Sequence, residues 1–129
     1  MHAFRAAVEA KSIEAMSATL ADDVTFLSPV AFAPYRGREL VTAILGRVLV
    51  VLEDFTYVRE IGAGGDDGLV LVFTATTDGK QVHGADFLSF DADGRISELA
   101  VMLRPLSAGQ AVAARMAVEF DAVKAELGL

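Results

Sequence analysis

Residues 69–104 read LVLVFTATTDGKQVHGADFLSFDADGRISELAVMLR, and this stretch decides the fold. Three runs rich in β-branched, aromatic and apolar residues are divided by two turn signals. Asp78-Gly79 is a two-residue hairpin signal, because both positions tolerate positive φ. Asp91-Ala92-Asp93-Gly94 turns the chain again. The runs Leu69–Thr77, Lys80–Phe90 and Arg95–Arg104 therefore predict a three-stranded antiparallel meander. Side chains alternate along a strand. Val82, Gly84, Asp86, Leu88 and Phe90 share one face; His83, Ala85, Phe87 and Ser89 share the other. A single acid, Asp86, stands in an otherwise apolar set. Leu69–Phe73 is apolar at every position, the pattern of a strand covered on both faces.

Upstream, Phe55–Ile61 reads as another strand. The glycine-rich Gly62–Gly68 connection reads as a flexible loop. It lacks the spacing and the Lys of a phosphate loop, and it precedes a strand, so no helix N-terminus awaits a phosphate. Arg38–Leu52 carries an apolar stripe of Val41, Ile44, Leu45, Val48 and Leu52, the mark of a helix. Leu49, Val50 and Val51 widen the stripe, which predicts burial on more than one side. Val24–Ser28 is a short β-rich run stopped by Pro29, and Val30–Arg36 reads as a loop. Two short helices precede it. The first carries Phe4, Ala7 and Val8. The second, capped by Ser12, carries Ile13, Met16 and Leu20 and ends at Asp22-Asp23. Downstream, Ser107 is positioned to cap a last helix with Val112, Met116, Phe120, Val123 and Leu127 on its apolar face. Helices first, then a meander, then one helix, predict an α+β domain with the helices on one face of the sheet.

The chain has 129 residues, a 53% hydrophobic composition and a net charge of −7. One domain over residues 1–129 is expected, with a core of about 2–105 and a C-terminal helix of about 107–127. Acidity disfavours nucleic acid and anionic membrane surfaces, since phosphate binding relies on Lys and Arg. No apolar run is long enough to span a bilayer, and no secretory leader is evident. The expected location is cytoplasmic. Cys is absent, which rules out disulfides and thiolate chemistry. The two His are far apart in sequence, so no transition-metal site is expected, and no cofactor motif is present. His2 is expected to be solvated. His83 is expected to face outward or lie at a dimer contact, and Arg104 to pair with an acid across the interface or guard the pocket mouth. Tyr57 reads as a strand packing residue without a fixed phase.

Three stretches carry a resemblance: Leu20-Ala21-Asp22-Asp23-Val24-Thr25-Phe26; Pro29 followed by Tyr35-Arg36-Gly37-Arg38-Glu39; and Asp86–Ile96. In this order and at these separations they resemble the nuclear transport factor 2-like superfamily, in particular its SnoaL-like polyketide cyclases and ketosteroid isomerases. The resemblance implies a cone: a curved antiparallel sheet whose concave side the N-terminal helices close around an apolar pocket. It places the Asp86 face inside the cone, with Leu71, Phe73, Ala75, Leu99, Val101 and Leu103. Val70, Val72, Phe87, Ala100 and Met102 then lie on the outer face. That face is apolar enough to predict a homodimer.

By the same resemblance Asp86 is the acid/base residue. Burial raises a carboxyl's pKa, and a protonated acid can donate to a substrate oxygen. Tyr35 at the rim, Ser28, Phe73, Leu88, Leu99, Val101 and Leu103 are the expected ligand contacts. Asp86 could instead merely accept hydrogen bonds from backbone or from Tyr35. The chain departs from the isomerases at two positions: Ser28 stands where they carry a base, and Phe4 where they carry a tyrosine. Steroid isomerisation by that mechanism is therefore not expected. The readings left open are acid/base cyclisation, isomerisation or dehydration of a small apolar carbonyl compound, non-catalytic ligand binding, and a dimeric assembly domain.

Overall fold

Ten elements follow one another in the computed structural model, which describes residues 2–65 and 68–129. Among these residues they are α1 (Ala3–Glu9), α2 (Ile13–Thr19), β1 (Leu20–Leu27), β2 (Tyr35–Arg36), α3 (Arg38–Val51), β3 (Glu53–Gly65), β4 (Gly68–Thr77), β5 (Lys80–Phe90), β6 (Ile96–Arg104) and α4 (Leu106–Leu127). Asp78 and Gly79 turn at φ 51° and 76°. From there β4 and β5 pair without a slip from Thr77 opposite Lys80 to Leu69 opposite Leu88. The expected meander forms, and β3 extends it on the far edge.

The sheet is curved and unclosed, with strand order β2-β1-β6-β5-β4-β3. It is not wholly antiparallel: β1 runs parallel to β6, with Phe26 opposite Leu99. A parallel neighbour needs a long crossover, and α3 with the four strands β2 to β5 supplies it. Leu20–Asp23, read as a helix end, belongs to β1. Leu20 and Ala21 are buried there, and a register shift before Thr25 leaves Asp22 and Asp23 exposed. Tyr35-Arg36, read as loop, pairs with β1.

The Gly62–Gly68 connection is also mostly strand. β3 runs to Gly65, which pairs with Gly68; Asp66 and Asp67 lie outside the described residues. A Cβ on Gly62 would stand 2.7 Å from the Gly68 carbonyl oxygen, so the close approach of β3 to β4 needs glycine.

The helices lie on one face of the sheet. Leu71, Phe73, Ala75, Val82, Leu88 and Leu99 are buried beneath them with Met16, Val41, Ile44 and Val112. Some helix positions differ from the simple stripe: Ile13 and Val50 stay exposed. Ser12 Oγ accepts from Ala15 N–H as expected. His2 is not simply solvated: its Nδ1 accepts from Phe4 N–H and caps α1, and its ring packs on Phe90. Ser107 does not cap α4, which starts one residue earlier with Pro105 at the cap and the Pro105 carbonyl accepting from Gly109 N–H. No helix is long and apolar enough to cross a membrane among the described residues.

One buried polar bond ties the layers together. Thr77 is fully buried, and its hydroxyl donates to the carbonyl of Val51, the last residue of α3, at 2.8 Å. Thr77→Val keeps the shape but strands that carbonyl. We expect a loss of about 1–3 kcal/mol in urea denaturation; a change under about 0.5 kcal/mol would show that the bond does not hold α3 to β4.

Candidate functional site

Between the sheet and the helices lies a cavity of about 330 Å³, within the ~300–1,000 Å³ of small-molecule sites. The wall is built strand by strand. Alternation turns Phe73 of β4, Asp86 of β5, and Leu99, Val101 and Leu103 of β6 to the same side. β3 adds Phe55 and Tyr57, and the end of β1 adds Phe26 and Ser28. Phe4, Met16, Leu45 and Val48 close it from α1–α3. The long α4 forms the remaining side with Val112, Met116 and Phe120. The ion pairs Arg47–Glu119 at 3.6 Å and Arg115–Asp78 at 3.1 Å hold α4 to α3 and to the β4–β5 turn.

Asp86 is 7% exposed and the wall around it is aromatic and aliphatic. Tyr57, also buried, donates its hydroxyl to Asp86 Oδ2 at 3.2 Å. Burial pushes the Asp86 carboxyl up to about 7, and the Tyr57 bond opposes that rise. Burial, followed by the adjacent carboxylate, raises the Tyr57 phenol. The pair thus sets a carboxyl raised toward neutral pH beside a phenol that donates to it. Arg5 of α1 stands 5.5 Å from the Tyr57 ring centroid and ion-pairs with Glu60 at 3.2 Å, which holds that ring from behind.

Most of the expected contacts meet here. Phe73, Leu99, Val101, Leu103, Ser28 and Tyr35 line the cavity with Asp86. Leu88 shares the Asp86 face but is buried in the core one step beyond the wall. Ser28 Oγ accepts from Val30 N–H, a local turn bond. Tyr35 does not bond Asp86; its ring packs between Phe26 and Phe120. His83 faces out and its Nδ1 lies 3.3 Å from Arg104 Nη1, so within the chain Arg104 meets a histidine and does not line the cavity.

The residue missed was Tyr57. Register shifts on either side of it interrupt the two-residue phase of β3, so alternation cannot assign its face. Among the described residues the lining holds one further carboxylate, Asp121, and one Lys, Lys124, both on exposed α4 positions. Tyr57→Phe removes a bond that favours the ionised acid. We expect the Asp86 midpoint, followed by carboxyl-carbon NMR, to move above about 7; a downward move would show that burial does not dominate.

Comparison with known proteins places this geometry. The model of the SnoaL-like domain matches residues 1–99. A steroid delta-isomerase from Pseudomonas aeruginosa is similar at 34% identity and TM-score 0.87, over 95% of this chain and 89% of that one. An uncharacterised bacterial protein with a cystatin-like fold from Silicibacter pomeroyi is similar at 28% identity and TM-score 0.84, over 90% and 81%. A hypothetical protein with a ketosteroid isomerase-like fold from Catenulispora acidiphila, in complex with trimethylamine, shares the fold at 22% identity and TM-score 0.62, over 87% and 89%. A comparison of the sequence with curated proteins finds no match. By its matched family model and its cone of sheet and helices, the chain belongs to the SnoaL-like domain family.

Proposed function

We propose that the cavity binds a small apolar carbonyl compound and that Asp86 acts on it by proton transfer, in a cofactor-free isomerisation, cyclisation or dehydration. The observation that carries this is the Asp86–Tyr57 pair inside an apolar wall. As charge builds on the substrate's carbonyl oxygen, Asp86 donates its proton to that oxygen, solvent at the cavity mouth takes the proton leaving the carbon beside the carbonyl, and the Asp86 carboxylate recovers its proton as the carbonyl re-forms. Tyr57 holds the carboxyl in place and stabilises it when it ionises. Phe73, Leu99, Val101 and Leu103 take the apolar body of the ligand, and Tyr35 and Ser28 its outer end. The name of the Pseudomonas aeruginosa relative supports a carbonyl substrate. Ser28 and Phe4 argue against a ketosteroid isomerase's own proton relay, since neither is a base or a phenol.

The alternative is a binding module that holds the same class of ligand unchanged. Its support is that, among the described residues, the lining holds no second buried carboxylate: Asp121 lies on an exposed turn of α4. The two readings separate in one experiment. Aromatic and polyketide-like ketones are titrated into the protein, and deuterium uptake from D₂O next to the carbonyl is followed by NMR. Binding with catalysed exchange is the expected result. Saturable binding without exchange selects the binding module, and no binding by any member of the panel sinks both.

The outer sheet face supports a homodimer, because Val70, Val72, Phe87, Ala100 and Met102 form an apolar face that the helices do not cover. A dimeric assembly domain would use that face and leave the cavity idle. The cytoplasm suits a chain without Cys.

A further inference from the structure

The exposure of the lining residues tells where the cavity meets solvent. Among the described residues five of them are exposed: Pro29 and Val30 from the connection between β1 and β2, and Ala117, Asp121 and Lys124 from α4. The rest are buried or half-buried. The α4 members stand four and three residues apart, so they form one stripe along the helix. The mouth therefore lies between that connection and the C-terminal half of α4. Its two lips differ. Residues 28–35 carry no charged side chain. The α4 lip carries one anion and one cation. They do not pair with each other, and neither makes an ion pair elsewhere among the described residues. Lys124 instead lies over the Phe120 ring, its Nζ 5.5 Å from the centroid. Phe120 is part of the cavity wall and packs on Tyr35. The ammonium is thereby kept at the opening.

We infer that the ligand is an apolar keto acid carrying one negative charge: its carbonyl reaches Asp86, and its carboxylate stays at the mouth on Lys124. This rests on the carbonyl-ligand reading above and adds the charge of the outer end. Among the buried lining residues only Asp86 and Tyr57 carry oxygen atoms on their side chains. An anion drawn inward would lose its water beside an acid, at a high cost in free energy. At the mouth it keeps part of its water and gains a partner. Lysine offers three N–H donors on a flexible stem, and this one leans on a residue of the wall. The shorter Asp121 side chain stays closer to its own helix. Its charge acts at the same lip by sign, and it discourages a second anionic group there.

The test uses an aryl-substituted cyclohexanone in three forms, with a carboxylate, a primary amide or an aminomethyl group on the aryl ring, para to the cyclohexanone. Each form is titrated by calorimetry at neutral pH into the wild type, Lys124→Gln, Lys124→Arg and Asp121→Asn, with circular dichroism to confirm that each folds. The carboxylate should bind the wild type about fivefold more tightly than the amide, and the amine more weakly than either. The preference for carboxylate over amide should fall to within about twofold in Lys124→Gln, persist in Lys124→Arg and rise in Asp121→Asn. Salt at about 1 M should reduce it. Equal binding of carboxylate and amide overturns the anionic ligand and leaves the ketone reading standing. Tighter binding of the amine gives the mouth to Asp121 and overturns it as well. A carboxylate preference unchanged in Lys124→Gln overturns Lys124 as the partner. Binding by none of the three forms sinks the ketone reading itself, and the keto acid with it.

Discussion

Asp86→Asn is expected to lower turnover about 10²–10⁴-fold while ligand affinity changes only severalfold. Asn keeps the shape and can still donate a hydrogen bond, but it has no proton to give. The same substitution should stabilise the fold in alkaline solution. Asp86 is raised from 3.8 to about 7 by burial. Its contribution to stability is therefore fully present below pH about 4 and is lost as pH rises through about 7. Roughly three pK units correspond to a penalty of up to about 4 kcal/mol above that range. Urea denaturation of the two proteins at several pH values checks this. The stability advantage of the Asn variant should grow with pH and level off above about 8. Equal pH dependence in the two proteins would show that Asp86 is not held protonated. The activity of the wild type should fall over the same pH interval, because the acid form is the one that works.

Gly84→Ala is expected to cost about 1–3 kcal/mol of stability and to weaken ligand binding about tenfold or more. Gly84 stands between Phe73 and Leu103 on the inner face of the sheet. A Cβ there would lie 2.3 Å from Phe73 Cζ and 2.8 Å from Leu103 Cδ2. Phe73 cannot retreat, since Phe55 stacks on it at 4.5 Å and Tyr57 meets it edge-on. Its ring must move into the cavity or press on Tyr57, and both displace the Asp86 pair. A fully stable Ala variant with unchanged affinity would mean that the ring has room to move elsewhere. Thermal melting and ligand titration decide the matter.

What could be read from residue order follows from the range of each signal. Asp78-Gly79 and the alternation from Val82 to Phe90 are local, and they put Asp86 on one face with Val82 and Leu88; that this face is the inner one, beside Phe73 and Leu99, came from the family resemblance. The β1–β6 pairing left no such mark, because a parallel neighbour more than seventy residues away has no turn to announce it. Tyr57 was hidden for another reason. Its strand is irregular on both sides, and a single extra residue reverses which face every later side chain takes. Leu88 shares the face but lies off the cavity wall, because alternation gives the face but not the height along the strand at which the cavity stops. Ser107 looked like a cap by type, yet the backbone of Pro105 had already closed the first turn.

The parallel pairing of β1 with β6 also has a consequence in time. Leu20 meets Ile96, and Phe26 meets Leu99. Contacts at such separation slow folding, because a long stretch of chain must be ordered before they form. On the ribosome the first strand therefore waits, unpaired on its β6 side, until the last strand has been made and released. α4 follows only then. The hairpins from β3 to β5 can assemble as they emerge, but the chamber around Asp86 is among the last parts of the molecule to come into being.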